Sequence, residues 1–229
     1  MLATAEETWI DYLKSAPEWR PEEKLTIVVS PHPDDETLGA GGLIAMQRLR
    51  GTPVKLLAVT DGEAAYTDVP DLGRKRRAEQ LDAADALGMA RDCVIHLALR
   101  DSGVAESESL LADRIEACVT SETLLVAPWA RDPHPDHEAC GRAAAVAASR
   151  TGAKLISYFF WTWHWFTLEC LKGLPLRRLV LSDDARLRRE RALACHRSQL
   201  HRDGEPPVLP EILLAPARRA FETFITSGD

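Results

Sequence analysis

No stretch of the 229-residue chain approaches the roughly 18 consecutive apolar residues of a membrane-spanning helix, so no membrane span is expected. Its first residues, MLATAEETWIDYLKSAPEW, are acidic where a secretory signal needs basic residues, and no apolar core follows them. Cysteine is sparse. Cys93, Cys118, Cys140, Cys170 and Cys195 are odd in number and no two form a C-x-x-C, which argues against a disulfide framework and for a reducing compartment. The expected location is therefore cytoplasmic. Basic residues are outnumbered, 28 Lys and Arg against 35 Asp and Glu, and the net charge of −7 argues against a nucleic-acid or anionic-membrane partner. Internal repeats and low-complexity segments are missing too. What remains is an ordinary globular composition, 45% apolar and 28% charged, at a length that suits one α/β domain over residues 1–229.

Strand and helix signals alternate along most of that length. Residues 4–15 read as a surface helix. Leu25–Ser30 is a short β-branched run, the mark of a strand buried on both faces. A helix over 36–50 follows, then a strand at Val54–Thr60, a helix over 73–87 closed by Gly88, and a strand at Val94–Leu97. Next come a helix over 106–119, a strand at Leu124–Ala127, a Pro-rich loop and an Ala-rich helix from about 137 to 149. This alternation implies βαβ units, right-handed crossovers and a mainly parallel sheet. Beyond residue 150 the pattern loosens into a strand near 154–158, the WTWHW segment, an apolar run at 174–181, a charged helix at 183–195, and Phe221–Ile225 as an edge strand. No linker sets this last third apart, and it is expected on the substrate side of the same domain.

Two motifs sit where such a sheet places its ligands, at the carboxyl ends of strands. The first is Ser30-Pro31-His32-Pro33-Asp34-Asp35-Glu36. Its prolines hold the backbone around His32 out of the helical region. Three acids in a row repel one another and call for a counter-charge, and the neighbouring imidazole points to a borderline cation such as zinc rather than magnesium or calcium. The second is Asp132-Pro133-His134-Pro135-Asp136-His137, which also follows a buried strand and opens a helix. A catalytic zinc takes three protein ligands and keeps one position open. His32 and one carboxylate supply two ligands and a histidine of the second motif the third. His137 is the better choice because the helix start fixes its direction, and this leaves His134 facing the open position. Asp136 can hold the other nitrogen of His134 or cap the helix.

These motifs, with Thr60-Asp61-Gly62-Glu63, Arg76-x-x-Glu79, Leu87-Gly88 and His196-Arg197-Ser198-Gln199, resemble the LmbE-like, PIG-L family of zinc-dependent N-deacetylases over roughly residues 25–200. The resemblance implies a Rossmann-like three-layer sandwich with the metal at the carboxyl edge of the sheet. It implies Zn2+ (or Fe2+) on His32, Asp35 and His137, with Asp34 as general base. His134, oriented by Asp136, would stabilise the oxyanion or protonate the leaving amine, and Arg76 takes the substrate-contacting position. The implied substrate is a small-molecule acetamido-sugar conjugate of N-acetylglucosaminyl type.

Other residues bear on that reading. Asp101, after the third strand, stands at the correct edge to touch substrate hydroxyls, although Arg100-Asp101 also reads as a surface ion pair. Asp61 is either a partner of the metal site or half of an Asp-Gly turn. The run Arg74–Arg77 reads as a solvated helix face that could instead meet an anionic group. The segment Trp161-Thr162-Trp163-His164-Trp165 offers flat faces for a sugar, a lipid or a second subunit, with Trp163 taken as the substrate contact and core packing the default for most of the rings. A homo-oligomer is a reasonable expectation from such tryptophans. Cys140, three residues after His137, stands near the metal or is simply packed. Two other functions compete. A metal-dependent phosphoesterase wants more carboxylates and a basic cradle, and a non-enzymatic ligand-sensing α/β domain does not need the three histidines.

Overall fold

The computed structural model describes residues 3–202 and 204–226. Its centre is a seven-stranded sheet in the order β3-β2-β1-β4-β5-β7-β6. The strands are β1 (Thr26–Ser30), β2 (Val54–Thr60), β3 (Val94–Leu99), β4 (Leu124–Pro128), β5 (Lys154–Tyr158), β6 (Leu176–Val180) and β7 (Phe221–Thr226). The first five pair in parallel, and β7 runs antiparallel to both β5 and β6.

Side chains on a strand alternate between faces, so each central strand feeds two cores. On β1, Val28 points to one side, with Leu56, Val126 and Phe224. Ile27 and Val29 point to the other, with Leu57, Leu125 and Ala127. All three β1 residues are fully buried, which stabilises the fold by about 2 kcal/mol apiece. The first face is covered by α2 (Asp35–Leu49), α3 (Leu72–Leu87) and α7 (Asp183–Leu193), the second by α4 (Glu108–Glu116) and α5 (Pro135–Thr151). This is the expected three-layer α/β architecture. Helix ends follow their local signals. Gly88 closes α3 and Gly152 closes α5, both at positive φ, where a Cβ would be strained.

Phe221–Ile225 does form a strand, but not at an edge. As β7 it lies inside the sheet, and β6 takes the edge. Glu222 lies within the strand and would suit an exposed edge. Its carboxylate is in fact buried, accepting from the Gly42 N–H at 2.6 Å and the Leu43 N–H at 2.8 Å, with Arg189 3.3 Å away. The helix expected over 106–119 is also shorter, with Val104–Ser107 winding as a 3-10 turn before α4.

Candidate metal and substrate site

The parallel strand order reverses between β1 and β4, which places a crevice at their carboxyl ends. Both motifs emerge there. β1 runs into Pro31–Asp34 and then α2, while β4 runs into the 129–134 loop and then α5. Pro135 occupies the first turn of α5, where its missing N–H costs nothing, and the His134 ring caps that turn by accepting the Asp136 N–H at 3.3 Å.

The two motifs bring His32, Asp35 and His137 together, with one donor atom from each lying within 4.8 Å of the others. Asp35 Oδ2 is 3.0 Å from His32 Nδ1 and 3.1 Å from His137 Nε2. The remaining nitrogen of each ring is held from behind. His137 Nδ1 is 2.8 Å from Asp132 Oδ2, and His32 Nε2 is 3.2 Å from Asp136 Oδ2 and 3.3 Å from Asp101 Oδ1. His137 Nε2 is buried and finds no hydrogen-bond acceptor in line.

Electrostatics follow this arrangement. Burial disfavours the His32 imidazolium, yet bonds to Asp101, Asp136 and Asp35 raise its pKa well above the usual histidine value. Burial likewise works against His137, but Asp35 and Asp132 bring it up to about 9. Asp35 is held well below the carboxylate range by His137 and His32, against the cost of burial. A divalent cation fits this set. It would take the places of the protons on His32 Nδ1 and His137 Nε2, which lie 3.0 and 3.1 Å from Asp35 Oδ2, and both rings already have the rear carboxylate partners that orient metal-binding imidazoles.

Asp34 stands beside this cluster with φ 134°, a conformation rare outside glycine. It is locked there. Its carbonyl accepts the Thr37 and Leu38 N–H groups at 2.9 Å, and its N–H reaches Glu36 Oε2 at 3.4 Å. Burial pushes its carboxyl up to about 7, against the pull of Arg76. Arg76 Nη2 is 3.3 Å from Asp34 Oδ2, and its guanidinium also donates to the Pro33 and Gly62 carbonyls. Arg76 is therefore buried and aimed inward. Its neighbours form no phosphate cradle, since Arg74 pairs with Asp71 at the surface and Arg77 with Asp61. That pair also removes Asp61 from the metal cluster.

The cleft over these groups has a volume of about 180 Å³, and Asp34, Arg76, Asp101 and His134 all line it. Burial and the nearby His32 and His137 push His134 down to about 4. Its Nδ1 accepts the Asp136 N–H, so the neutral ring carries its proton on Nε2.

Two expectations are corrected. The Asp136 carboxylate does not hold the His134 ring. It faces His32 instead and accepts the Ser102 and Val104 N–H groups at 2.8 and 3.2 Å. Trp163 is not at the cleft. It is 5% exposed and packs edge-on against Trp9 at 5.2 Å and beside Phe159 at 5.0 Å. Trp161 lines the cleft in its place. Asp101 is no surface ion pair but a buried carboxylate on His32, held down to about 2 against the cost of its burial. Cys140 is buried among the alanines of α5.

Sequence reasoning passed over several residues. Asp132 lies in the second motif, yet its contacts depend on the distant 160–162 segment, whose N–H groups it accepts. Glu36 turns away from the cation cluster toward Ser30 at 2.7 Å, Gln80 at 2.9 Å and His196 at 3.5 Å. Val208 and Leu209 complete the cleft from a proline-flanked loop that carries no periodic signal.

The model of the PIG-L family, described as GlcNAc-PI de-N-acetylase, matches residues 27–148, just over half of the chain, and the chain belongs to that family. Among relatives, it is 32% identical over 135 residues to the Bacillus subtilis protein named "Probable N-acetyl-alpha-D-glucosaminyl L-malate deacetylase 2", covering 54% of this chain and 60% of that one. It is 30% identical over 139 residues to the diacetylchitobiose deacetylase of Thermococcus kodakarensis, covering 56% and 51%. The match thus spans little more than half the length of these relatives. Two solved structures share the fold. The conserved protein TT1542 of Thermus thermophilus superposes with a TM-score of 0.60 at 28% identity, covering 76% of this chain and 79% of that one. The N,N'-diacetylchitobiose deacetylase of Pyrococcus horikoshii gives 0.63 at 23%, covering 89% and 82%.

Proposed function

We propose that the chain is a metal-dependent N-deacetylase that hydrolyses the acetamide of an N-acetylglucosaminyl-type sugar conjugate. The observation that carries this reading is the buried Nε2 of His137, which has no hydrogen-bond partner yet lies 3.1 Å from the Asp35 oxygen that His32 Nδ1 meets at 3.0 Å, beside a second carboxylate in the same cleft. The names of the family and of its relatives, all deacetylases of acetylated amino sugars, support the substrate class.

In this reading His32, Asp35 and His137 hold Zn2+ or Fe2+, which when bound supplies Lewis acidity to the amide carbonyl and acidifies water. Asp34 takes the proton of the attacking water. Its backbone is fixed by Glu36 and its side chain by Arg76, so the accepting oxygen is placed before substrate arrives. His134 presents a neutral Nε2–H to the developing oxyanion, and the proton taken up by Asp34 passes on to the departing amine. Asp101 and Asp136 act on His32 from behind, and Asp101 also keeps a face on the cleft where sugar hydroxyls would lie. Elemental analysis and acetate release test the reading together. About one zinc or iron per chain, lost in His137→Ala together with acetate release, is the expected outcome. A folded wild-type chain that retains no divalent metal and releases no acetate would refute it.

A further inference from the structure

Part of the cleft lining is apolar and has no role in the chemistry above. Phe160 and Leu209 line the cleft yet are only 3% and 2% exposed, whereas Ala64 and Ser102 in the same lining are open to solvent. Phe160 stands just before the helical turn α6 (Thr162–Trp165), and Leu209 comes from the proline-flanked loop late in the chain. Both belong to one apolar cluster with Leu38, Leu193, Leu214 and Ala217. Leu38 lies in the first turn of α2, and its N–H bonds the Asp34 carbonyl at 2.9 Å. The buried wall and the candidate base are therefore parts of one packed unit.

Behind this wall lies a second cavity of about 350 Å³, with Leu193, Leu200 and Leu214 in its lining. Among the described residues, Leu209 alone lines both this cavity and the cleft, so its side chain is the partition between them. The partition is held in place by its backbone. Leu209 donates its N–H to the Gln199 carbonyl at 2.9 Å, and Val208 donates its own to the Tyr66 hydroxyl at 2.8 Å. Pro206, Pro207 and Pro210 restrict the chain on either side.

We propose that Leu209 sets the length of acyl group that the cleft accepts, by closing it behind the methyl group of an acetamide. This rests on the deacetylase reading above and adds to it the residue that limits the acyl chain. The carbonyl of a bound amide belongs with the polar groups of the cleft, and its nitrogen carries the sugar, which needs an open, polar exit. The acyl methyl is left for the buried apolar wall. A chain longer by two methylenes would run into Leu209, in a wall whose backbone is tied down and cannot give way cheaply. Leu209→Ala removes an isopropyl group, close to the volume of those methylenes, and joins the cleft to the apolar space behind it.

The test uses full-length, zinc-loaded protein and two probes, the methyl glycosides of N-acetylglucosamine and N-butanoylglucosamine. Binding is measured by calorimetry in an Asp34→Asn background that keeps the amides intact, and release of the acid in the Asp34-intact protein. The acetyl probe is expected to bind about ten-fold or more tightly than the butanoyl probe. Leu209→Ala should bring the two within about three-fold of each other. Leu209→Val, a smaller truncation, serves if the alanine chain does not fold, and should narrow the preference about three-fold. Leu214→Ala takes the same atoms from the same apolar cluster but borders only the rear cavity, so it should leave the preference unchanged. A parent protein that binds both probes equally, a Leu209 variant that keeps the full preference, or a Leu214→Ala chain that loses it to the same extent would overturn the proposal. If the preference and its loss appear in binding but the Asp34-intact protein releases neither acid, the partition stands and the deacetylase reading falls. If acetate is released but the Leu209 variants leave the preference untouched, the reading stands and the partition falls. A parent protein that binds neither probe would refute both.

Discussion

Asp132 lies on no candidate reaction path, yet its carboxylate joins two parts of the site. One oxygen is 2.8 Å from His137 Nδ1, and the pair of oxygens accepts the backbone N–H groups of Phe160, Trp161 and Thr162. Removing it would free the His137 ring to rotate and release the wall that carries Trp161. Asp132→Ala is expected to weaken zinc binding about 10- to 100-fold, measured by competition with a chelating dye. Zinc affinity equal to the wild type would show that His137 is oriented by its helix alone. Asp34 should behave in the opposite way. It faces the cleft without belonging to the three-donor set. Asp34→Asn should therefore keep its metal while acetate release falls by about 10²- to 10⁴-fold. Retained turnover in that variant would remove Asp34 from the role of base.

Elements position these residues through a few close packings. Helix α2 lies against β5 because Gly39 leaves room for the Tyr158 ring, whose hydroxyl donates to the Val29 carbonyl at 3.0 Å. A Cβ at Gly39 would run into that ring. Gly39→Ala should cost about 1–3 kcal/mol, read as a lower midpoint in urea, and an unchanged midpoint would mean the helix can shift without penalty. The turn α6 carries a pH-dependent term. His164 is buried between Phe160 and Trp161 with neither ring nitrogen paired, and burial holds its pKa at about 4. Its folded value lies below the unfolded value of about 6.5, so its contribution is complete above pH 6.5 and is lost as the pH falls toward 4. On this group alone the fold should lose about 2 kcal/mol between pH 7 and pH 5. His164→Phe should reduce the measured loss by about that amount, and an identical loss in the variant would place the acid sensitivity elsewhere.

The same turn shows why some of the site was hidden in the sequence. W-T-W-H-W reads as an alternation of period two, which makes Trp163 as good a substrate contact as its neighbours. The chain instead winds as a single helical turn, so the exposed partner of Trp161 is Trp165 and Trp163 faces Trp9. Strand β7 is hidden for a related reason. Its Glu222 is buried because the N–H groups of α2 and the Arg189 guanidinium, all far away in sequence, meet its carboxylate. By contrast, the central parallel strands and their helices were legible, because each is a local run of apolar residues with its own stop signal.

At the scale of the whole molecule, the candidate site is an assembly of chain segments far apart in sequence that meet at one edge of the sheet. His32 and Asp35 come from the end of β1 and the start of α2, His137 from α5, Arg76 from α3 and Asp101 from the loop after β3. The histidine and aspartate motifs announced themselves because each is short and sits at a strand end. The cleft wall from Val208 and Leu209 did not, since nothing local marks where a loop will land. The net charge of −7 and the buried carboxylates around His32 and His137 make a cation the natural complement of this edge. In the proposed function this edge becomes hydrolytic when it holds one metal ion. The most direct measurement is acetate release from an acetamido-sugar conjugate as zinc is titrated into chelator-stripped protein. Activity should be absent without metal, rise with added zinc and saturate at about one ion per chain. Full activity in the stripped protein, or none at any zinc concentration, would contradict the account.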